Sequence, residues 1–353
     1  MIVDEKYMQR CLQLAKNGLG RTAPNPMVGA VLVYDDLIIG EGYHQEYGEA
    51  HAEPNAIYAV RDAALLEKST LYVNLEPCSH TGKTPPCAAL IIQKKIPRVV
   101  IGSIDPNPLV SGNGVRMMQE AGVEVITGVL DAENRELNKR FFTFQEQSRP
   151  YIFLKWAQSI DGFMDGDRKD STTPPVLFST QTTQIFNHKM RAEEAAILVG
   201  TNTVLMDNPK LTTRLWAGKN PLRVTIDRKG LLYDAMLASN TSFHILDQTT
   251  PSLIFTERAV VGTANIAFSQ LNFSEKILPQ LVKALHQRNI NSLIVEGGSA
   301  LLHSFIEDGL WDEARVEIAP IKLGAGVQAP LLAMRYFESE CSYEGNKFVL
   351  YRN

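Results

Sequence analysis

Within residues 51–87, one histidine, two cysteines and a glutamate are spaced so that they could build a metal site. They are His51-Ala52-Glu53, Pro77-Cys78, and Cys87 after an eight-residue spacer that ends in Pro86. One imidazole and two thiolates can hold a zinc ion and leave its fourth position to water, which is the pattern of catalytic zinc. Glu53, two residues from His51, belongs beside that water and not on the metal. Zinc lowers the pKa of bound water from about 15.7 to roughly 7. A nearby carboxylate can then pass a proton to a leaving amine. The alternative is a structural zinc knuckle, with Glu53 or His80 as its fourth ligand.

These residues need elements to hold them. Asp4 can cap a helix running to about Lys16, with Met8, Cys11, Leu12 and Ala15 on one face. Ala23-Pro24-Asn25-Pro26 is a loop, because proline denies helix to its neighbours. Val28–Tyr34 and Leu37–Gly42 read as strands joined by a turn at Asp35-Asp36. Then come a helix over His51–Val60, a strand over Leu71–Leu75, a helix over Cys87–Lys95 and a strand over Val99–Ser103. Val115–Ala121 is a helix, Val123–Ile126 a strand, and residues 131–147 one charged helix. Both metal segments therefore open helices, where backbone dipoles favour thiolates. Alternating strands and helices with short links predict an α/β fold.

A length of 353 residues argues for two domains. Ser148-Arg149-Pro150 breaks the chain, so the domains are placed at 1–148 and 149–353. Net charge is −4. Residues 1–148 carry 14 Lys and Arg against 18 Asp and Glu, which is not the basic footprint of a nucleic-acid binder. A small-molecule substrate is expected. No apolar run approaches a membrane span and no signal pattern opens the chain, so a cytoplasmic protein is expected. The four cysteines are not a disulfide framework. Cys11 reads as a core residue, and Cys341 has no partner in view.

The H-x-E and P-C pattern is that of zinc nucleobase deaminases. The long spacer Ser79–Pro86 is more specific. It brings His80 and Lys83 near the metal, and Lys83 could meet a phosphate as a point charge, or the segment could be a solvated loop. With Ala23-Pro24-Asn25-Pro26-Met27-Val28-Gly29-Ala30, Gly42-Tyr43-His44 and Asp105-Pro106-Asn107-Pro108, these stretches resemble the deaminase half of the bifunctional riboflavin-biosynthesis deaminase/reductase family. The resemblance implies a cytidine-deaminase-like three-layer domain in which His51, Cys78 and Cys87 bind one Zn2+ per chain. It also implies that Glu53 shuttles the proton. Asn25, His44, His80, Lys83, Asp105 and Asn107 would surround a pyrimidine and its ribose phosphate.

In the second half, Tyr151–Ala157 is apolar on both faces, as a central strand should be. Lys155 interrupts it and should reach outward or pair with an anion. Ser159-Ile160-Asp161-Gly162 is a turn. Ser179–Arg191 reads as a helix capped by Ser179, Ala195–Gly200 as a strand, and Thr201-Asn202-Thr203 as a polar loop. Asp207–Arg214 is irregular. Leu222–Ile226 is a strand, residues 240–275 hold small strands, and Leu278–Arg288 is a helix. Leu293–Glu296 is a strand that stops at Gly297-Gly298 and enters a helix over Ala300–Glu307. Such a turn lets backbone N–H groups approach a pyrophosphate, although it lacks the G-x-G-x-x-G fingerprint.

Leu154-Lys155, Ser159-Ile160-Asp161-Gly162, Arg191-Ala192, Ile197–Gly200 with Thr203, Asp207-Asn208-Pro209, Leu211–Arg214, Val295–Gly298, Asp312-Glu313 and Ala319-Pro320 resemble the reductase half of the same family. That half is dihydrofolate-reductase-like. The resemblance implies NADPH against Ala157, Thr203, Gly298, Ser299, Ala300, Leu301, Leu302, His303 and Ser304. It places the ribose-phosphate substrate against Lys155, Arg191, Asp207, Leu211, Arg214 and Glu296. Pro175-Val176-Leu177-Phe178 departs from the Ser-x-Trp-Ile that the family commonly has, Asp167–Thr173 before it is unusually polar, and Ala195 stands where Asp is common.

The implied activity has two steps. The first is zinc-dependent deamination of 2,5-diamino-6-ribosylamino-4(3H)-pyrimidinone 5′-phosphate, and the second is NADPH-dependent reduction of its ribosyl group to ribityl. A homo-oligomer, dimer or tetramer, is expected. Other readings are a nucleoside or tRNA deaminase fused to an unrelated domain, and a zinc-stabilised binding module.

Overall fold

In a computed structural model, residues 5–79, 86–107, 111–238 and 242–353 are described. The chain divides into two units, Met1–Ser148 and Arg149–Asn353, each built on its own sheet.

In the first unit, helix α1 (Glu5–Ala15) precedes the antiparallel pair β1 (Gly29–Tyr34) and β2 (Leu37–Tyr43). Next come α2 (Ala52–Tyr58), β3 (Thr70–Leu75), α3 (Cys87–Gln93), β4 (Arg98–Ser103), α4 (Asn113–Glu120) and β5 (Glu124–Ile126). The strands lie in the order β2-β1-β3-β4-β5. Successive strand residues point to opposite faces, and this alternation makes three layers. Val31, Tyr72 and Val100 meet Tyr7, Met8, Cys11 and Leu14 of α1 on one face. Leu32, Leu71, Val73 and Val99 meet Ala56 of α2, Ile91 of α3 and Met118 of α4 on the other. The two helices that carry metal ligands thus share a face. Gly42 of β2 allows the close seating of α2: a Cβ there would lie 2.6 Å from the Ala56 amide nitrogen.

The expected single helix over 131–147 is two, α5 (Asp131–Leu137) and α6 (Lys139–Gln147). The break falls at Asn138, whose side chain is turned inward. Its Oδ1 accepts from the Met27 amide at 2.8 Å and its Nδ2 donates to the Met27 carbonyl at 3.0 Å.

The second unit opens with β6 (Tyr151–Ser159), the short β7 (Phe163–Asp165), α7 (Gln181–Glu193), β8 (Ala196–Gly200) and α8 (Thr201–Asp207). It continues with β9 (Leu222–Ile226), α9 (Leu231–Leu237), β10 (Ser252–Thr256), β11 (Ile266–Gln270), α10 (Ile277–His286), β12 (Ser292–Glu296) and α11 (Ser299–Glu307). It closes with β13 (Glu313–Ala319), β14 (Val327–Gln328), β15 (Phe337–Tyr343) and β16 (Asn346–Arg352). Nine strands form one sheet in the order β11-β10-β9-β8-β12-β6-β13-β16-β15, and β14 pairs with β7. The central strands are parallel and buried on both faces, so they read as unbroken apolar runs. Helices α10 and α11 cover one face, and α7, α8 and α9 the other.

Two local expectations are corrected. Helix α7 is capped by Thr180, whose side chain accepts from the Thr183 amide, and not by Ser179. Ser179 instead donates to the buried Glu317. Thr201-Asn202-Thr203 is no loop but the first turn of α8. There Thr201 Oγ1 donates to the Ile226 carbonyl.

Candidate active sites

His51 immediately precedes α2 and Cys87 is the first residue of α3. Cys78 follows β3 by three residues. The ligand atoms of these three lie within 4.8 Å of one another. His51 Nδ1 is 3.7 Å from Cys78 Sγ and 3.4 Å from Cys87 Sγ. A tetrahedral zinc, with bonds of about 2.3 Å to sulfur and 2.0 Å to nitrogen, sets such atoms about 3.5 Å apart. The donor set and its spacing therefore fit zinc. The Cys87 amide donates to Cys78 Sγ at 3.4 Å. Hydrogen bonding from Cys87, with help from His51, holds the Cys78 thiol well below its ordinary value against the opposing effect of burial. Glu53 is buried in the first turn of α2, and burial pushes its carboxyl up to about 7.

The residues expected around the substrate lie in three loops, before β1, after β2 and after β4. His44 is buried, its ring edge-on to His51 at 5.4 Å between centroids. Its Nδ1 lies 3.0 Å from the Ala50 carbonyl, and its Nε2 lies 3.2 Å from Asn25 Nδ2. Donation from Nδ1 to the carbonyl leaves Nε2 to accept from Asn25. Burial lowers the His44 pKa, which keeps the ring neutral and preserves that pattern. Asp105 Oδ1 accepts from the Asn107 amide at 2.8 Å. His80 and Lys83 lie outside the described residues.

The sequence reading missed residues behind this wall. Asn74 and Asn138 bracket the backbone of Met27 and Gly29, just after Asn25, and both donate to Asn134 Oδ1. Glu76, two residues before Cys78, is buried and accepts four backbone amides, from Asp105, Gly112, Gly114 and Val115. It joins the metal segment to the Asp105 loop and to the N-terminus of α4, where a negative charge suits the helix dipole. An acidic residue beside Pro77-Cys78 was the one available clue.

In the second unit a cleft of about 1420 Å³ opens at the ends of β6, β8 and β12. Of the residues expected there, Lys155, Arg191, Asp207, Leu211 and Glu296 line it, as do Ala157, Thr203, Gly298, Ser299, Ala300, Leu301, His303 and Ser304. Two do not. Leu302 is fully buried in the core with Phe305, because its position on α11 faces the sheet. Arg214 is not in the lining, and its Nη1 donates to Thr212 Oγ1 at 3.0 Å.

Gly297 and Gly298 both take positive φ, 86° and 79°. A Cβ on Gly298 would stand 3.6 Å from Thr203 Oγ1. The bare turn, the α11 N-terminus and the start of α8 thus face one another, an arrangement that fits a dinucleotide pyrophosphate. Glu296 is tied to Arg191 Nη2 at 2.6 Å and lies 3.8 Å from Lys155 Nζ. Burial alone would raise its pKa, but Arg191 and Lys155 outweigh it and hold the carboxylate charged.

Residues 1–103 match the cytidine and deoxycytidylate deaminase zinc-binding region, and residues 150–339 match the RibD C-terminal domain. The riboflavin biosynthesis protein RibD of Aquifex aeolicus is 38% identical over 98% of this chain and 95% of its own length. That of Escherichia coli is 36% identical over 91% and 89%. Among solved structures, the Thermotoga maritima diaminohydroxyphosphoribosylaminopyrimidine deaminase/5-amino-6-(5-phosphoribosylamino)uracil reductase superposes with a TM-score of 0.85. It is 38% identical and covers 99% of this chain and 98% of that one. Acinetobacter baumannii RibD superposes with a TM-score of 0.85 at 28% identity, covering 99% and 98%.

Proposed function

Because this chain belongs to the family of bifunctional RibD deaminase/reductases, we propose that its first unit acts on the diaminopyrimidine ribose phosphate and its second on the deaminated product. The enzyme is a zinc-dependent deaminase and an NADPH-dependent reductase of riboflavin biosynthesis. The observation that carries the reading is the buried Glu53 beside the His51, Cys78 and Cys87 donor set.

In the first step a ring C–NH2 becomes C=O, and water is consumed as ammonia leaves. Zinc, when bound, supplies a water acidified to near-neutral pKa. Glu53 would accept that water's proton and return one to the departing nitrogen. His44, neutral and braced by Asn25 and the Ala50 carbonyl, would orient the ring, with Asp105 and Asn107 completing the pocket. His80 and Lys83 would meet the ribose phosphate.

In the second step NADPH, when bound, supplies a hydride for the C1′ carbon of the opened sugar. Gly298, Ser299, Ala300, Leu301, His303 and Ser304, with Thr203 and Ala157, would seat the dinucleotide. Arg191 suits the substrate phosphate because a guanidinium can bind it at two points. Glu296 orients Arg191, while Lys155, Asp207 and Leu211 shape the remaining wall. Positioning would dominate over acid–base chemistry there.

We further place the enzyme in the cytoplasm, where thiols stay reduced. We also expect a homo-oligomer, supported by the edge strand β15, exposed along its whole length. Cell fractionation and analytical ultracentrifugation would check these two assignments.

The test is a coupled assay with the diaminopyrimidine phosphate and NADPH, monitoring ammonia and NADPH separately. A chelator should stop ammonia release yet leave reduction of pre-deaminated substrate intact. Glu53→Gln should retain zinc by elemental analysis but lose about 100-fold or more in deamination rate. Ammonia release at the parent rate by that variant would defeat the assignment of Glu53.

A further inference from the structure

The reductase cleft has a wall that the resemblance did not foresee. Where Ser-x-Trp-Ile was expected the chain has Pro175-Val176-Leu177-Phe178, so neither hydroxyl nor indole reaches in from those positions. The preceding polar segment is instead folded back on itself. Asp165, at the end of β7, closes it: Oδ1 accepts from the Gly166 and Val176 amides at 2.9 and 3.0 Å. Arg168 then uses all three of its guanidinium nitrogens. Nε donates to Asp165 Oδ2 at 2.6 Å, Nη1 to the Thr173 carbonyl at 3.2 Å, and Nη2 to Asp207 Oδ1 at 2.5 Å. Its side chain is only 10% exposed. One residue thus joins both limbs of the loop to the last residue of α8.

The charge balance gives this staple a consequence. Asp207 lines the cleft, and its side chain is 28% exposed. A cleft that takes a ribose phosphate and a dinucleotide must hold several phosphates, and a bare carboxylate there would repel them. That repulsion grows as ligand excludes water and the effective dielectric falls. Pairing with Arg168 removes the charge without removing the side chain.

We propose that Arg168 is a positioning residue of the reductase half, which masks Asp207 and fixes the 166–176 loop as the wall against a phosphorylated ligand. The ligand is either the pyrimidine ribose phosphate or NADPH. The inference rests on the reading of this cleft as the reductase site.

The test compares Arg168→Ala, Arg168→Lys and the double variant Arg168→Ala/Asp207→Asn in the full chain, with the melting transition of the second unit as the control for folding. The KM for NADPH is measured at saturating deaminated pyrimidine phosphate, and the KM for the latter at saturating NADPH. Arg168→Ala should raise at least one of these by about tenfold, with kcat within about threefold. Whichever KM moves identifies the ligand. Arg168→Lys should recover part of the loss. Adding Asp207→Asn should lower the raised KM again, because the uncompensated charge is gone. Unchanged KM values in Arg168→Ala, or a raised KM that Asp207→Asn does not lower, overturn the proposal. A parent chain that fails to oxidise NADPH with this substrate speaks against the reading of the cleft itself. Arg168 is then judged by the same comparison of NADPH affinity, measured by fluorescence titration.

Discussion

His188, on α7, is buried, and its Nδ1 finds no hydrogen-bond partner among the described residues. Burial, reinforced by the nearby Arg191 and Arg214 guanidiniums, pulls its pKa down to about 4, against the opposing pull of Glu296 and the Thr212 backbone. That same Glu296 also pairs with Lys155. The unfolded imidazole titrates near 6.5. Between these values the unfolded chain binds a proton that the folded chain refuses, so stability is full above about 6.5 and falls as pH drops toward 4. The slope is at most about 1.4 kcal/mol per pH unit for one proton. Calorimetry from pH 7 to 4 should show this component in the second unit of the parent and its loss in His188→Asn. Equal pH slopes in the two proteins would remove His188 from the account. From sequence, His188 is one more polar helical residue; apart from Arg191 on the same helix, the groups that shift it come from β12 and the 212–214 segment, far along the chain.

At the scale of elements, the first unit depends on how closely α4 approaches the metal segment. Gly114 lies in its first turn, and a Cβ there would be 2.1 Å from the Pro77 carbonyl oxygen, one residue before Cys78. That atom is backbone and cannot swing aside. Gly114→Ala should therefore push α4 outward, loosen the Glu76 bonds to Gly114 and Val115, and cost about 1–3 kcal/mol. The measurement is the melting temperature of the first unit with its zinc content. Both should fall while NADPH-dependent reduction holds, and an unchanged melting temperature would refute this packing argument. Strands and helices of this unit were legible because burial on one face imposes period two or 3.6. The break at Asn138 was not legible. The charge pattern of 131–147 continues straight through it, and only the Met27 backbone across the unit turns that side chain inward.

For the whole molecule, two units with separate cores and separate sites mean that one activity should survive loss of the other. Glu53→Gln and Arg191→Ala chains, each defective in one step, should together convert the diaminopyrimidine phosphate fully when mixed, the deaminated intermediate passing from one chain to the other through solution. Product formation no greater than with either chain alone, although each keeps its remaining activity, would contradict this. The zinc donor set and its neighbouring carboxylate were assigned from type and spacing, which are local in the chain, and the glycine turn from the family resemblance. What holds them was not local. Glu76 gathers amides from 29 to 39 residues away, and Arg168 reaches Asp207 39 residues on. A carboxylate's partners depend on which backbone amides the fold leaves unpaired near it, and folding alone decides that.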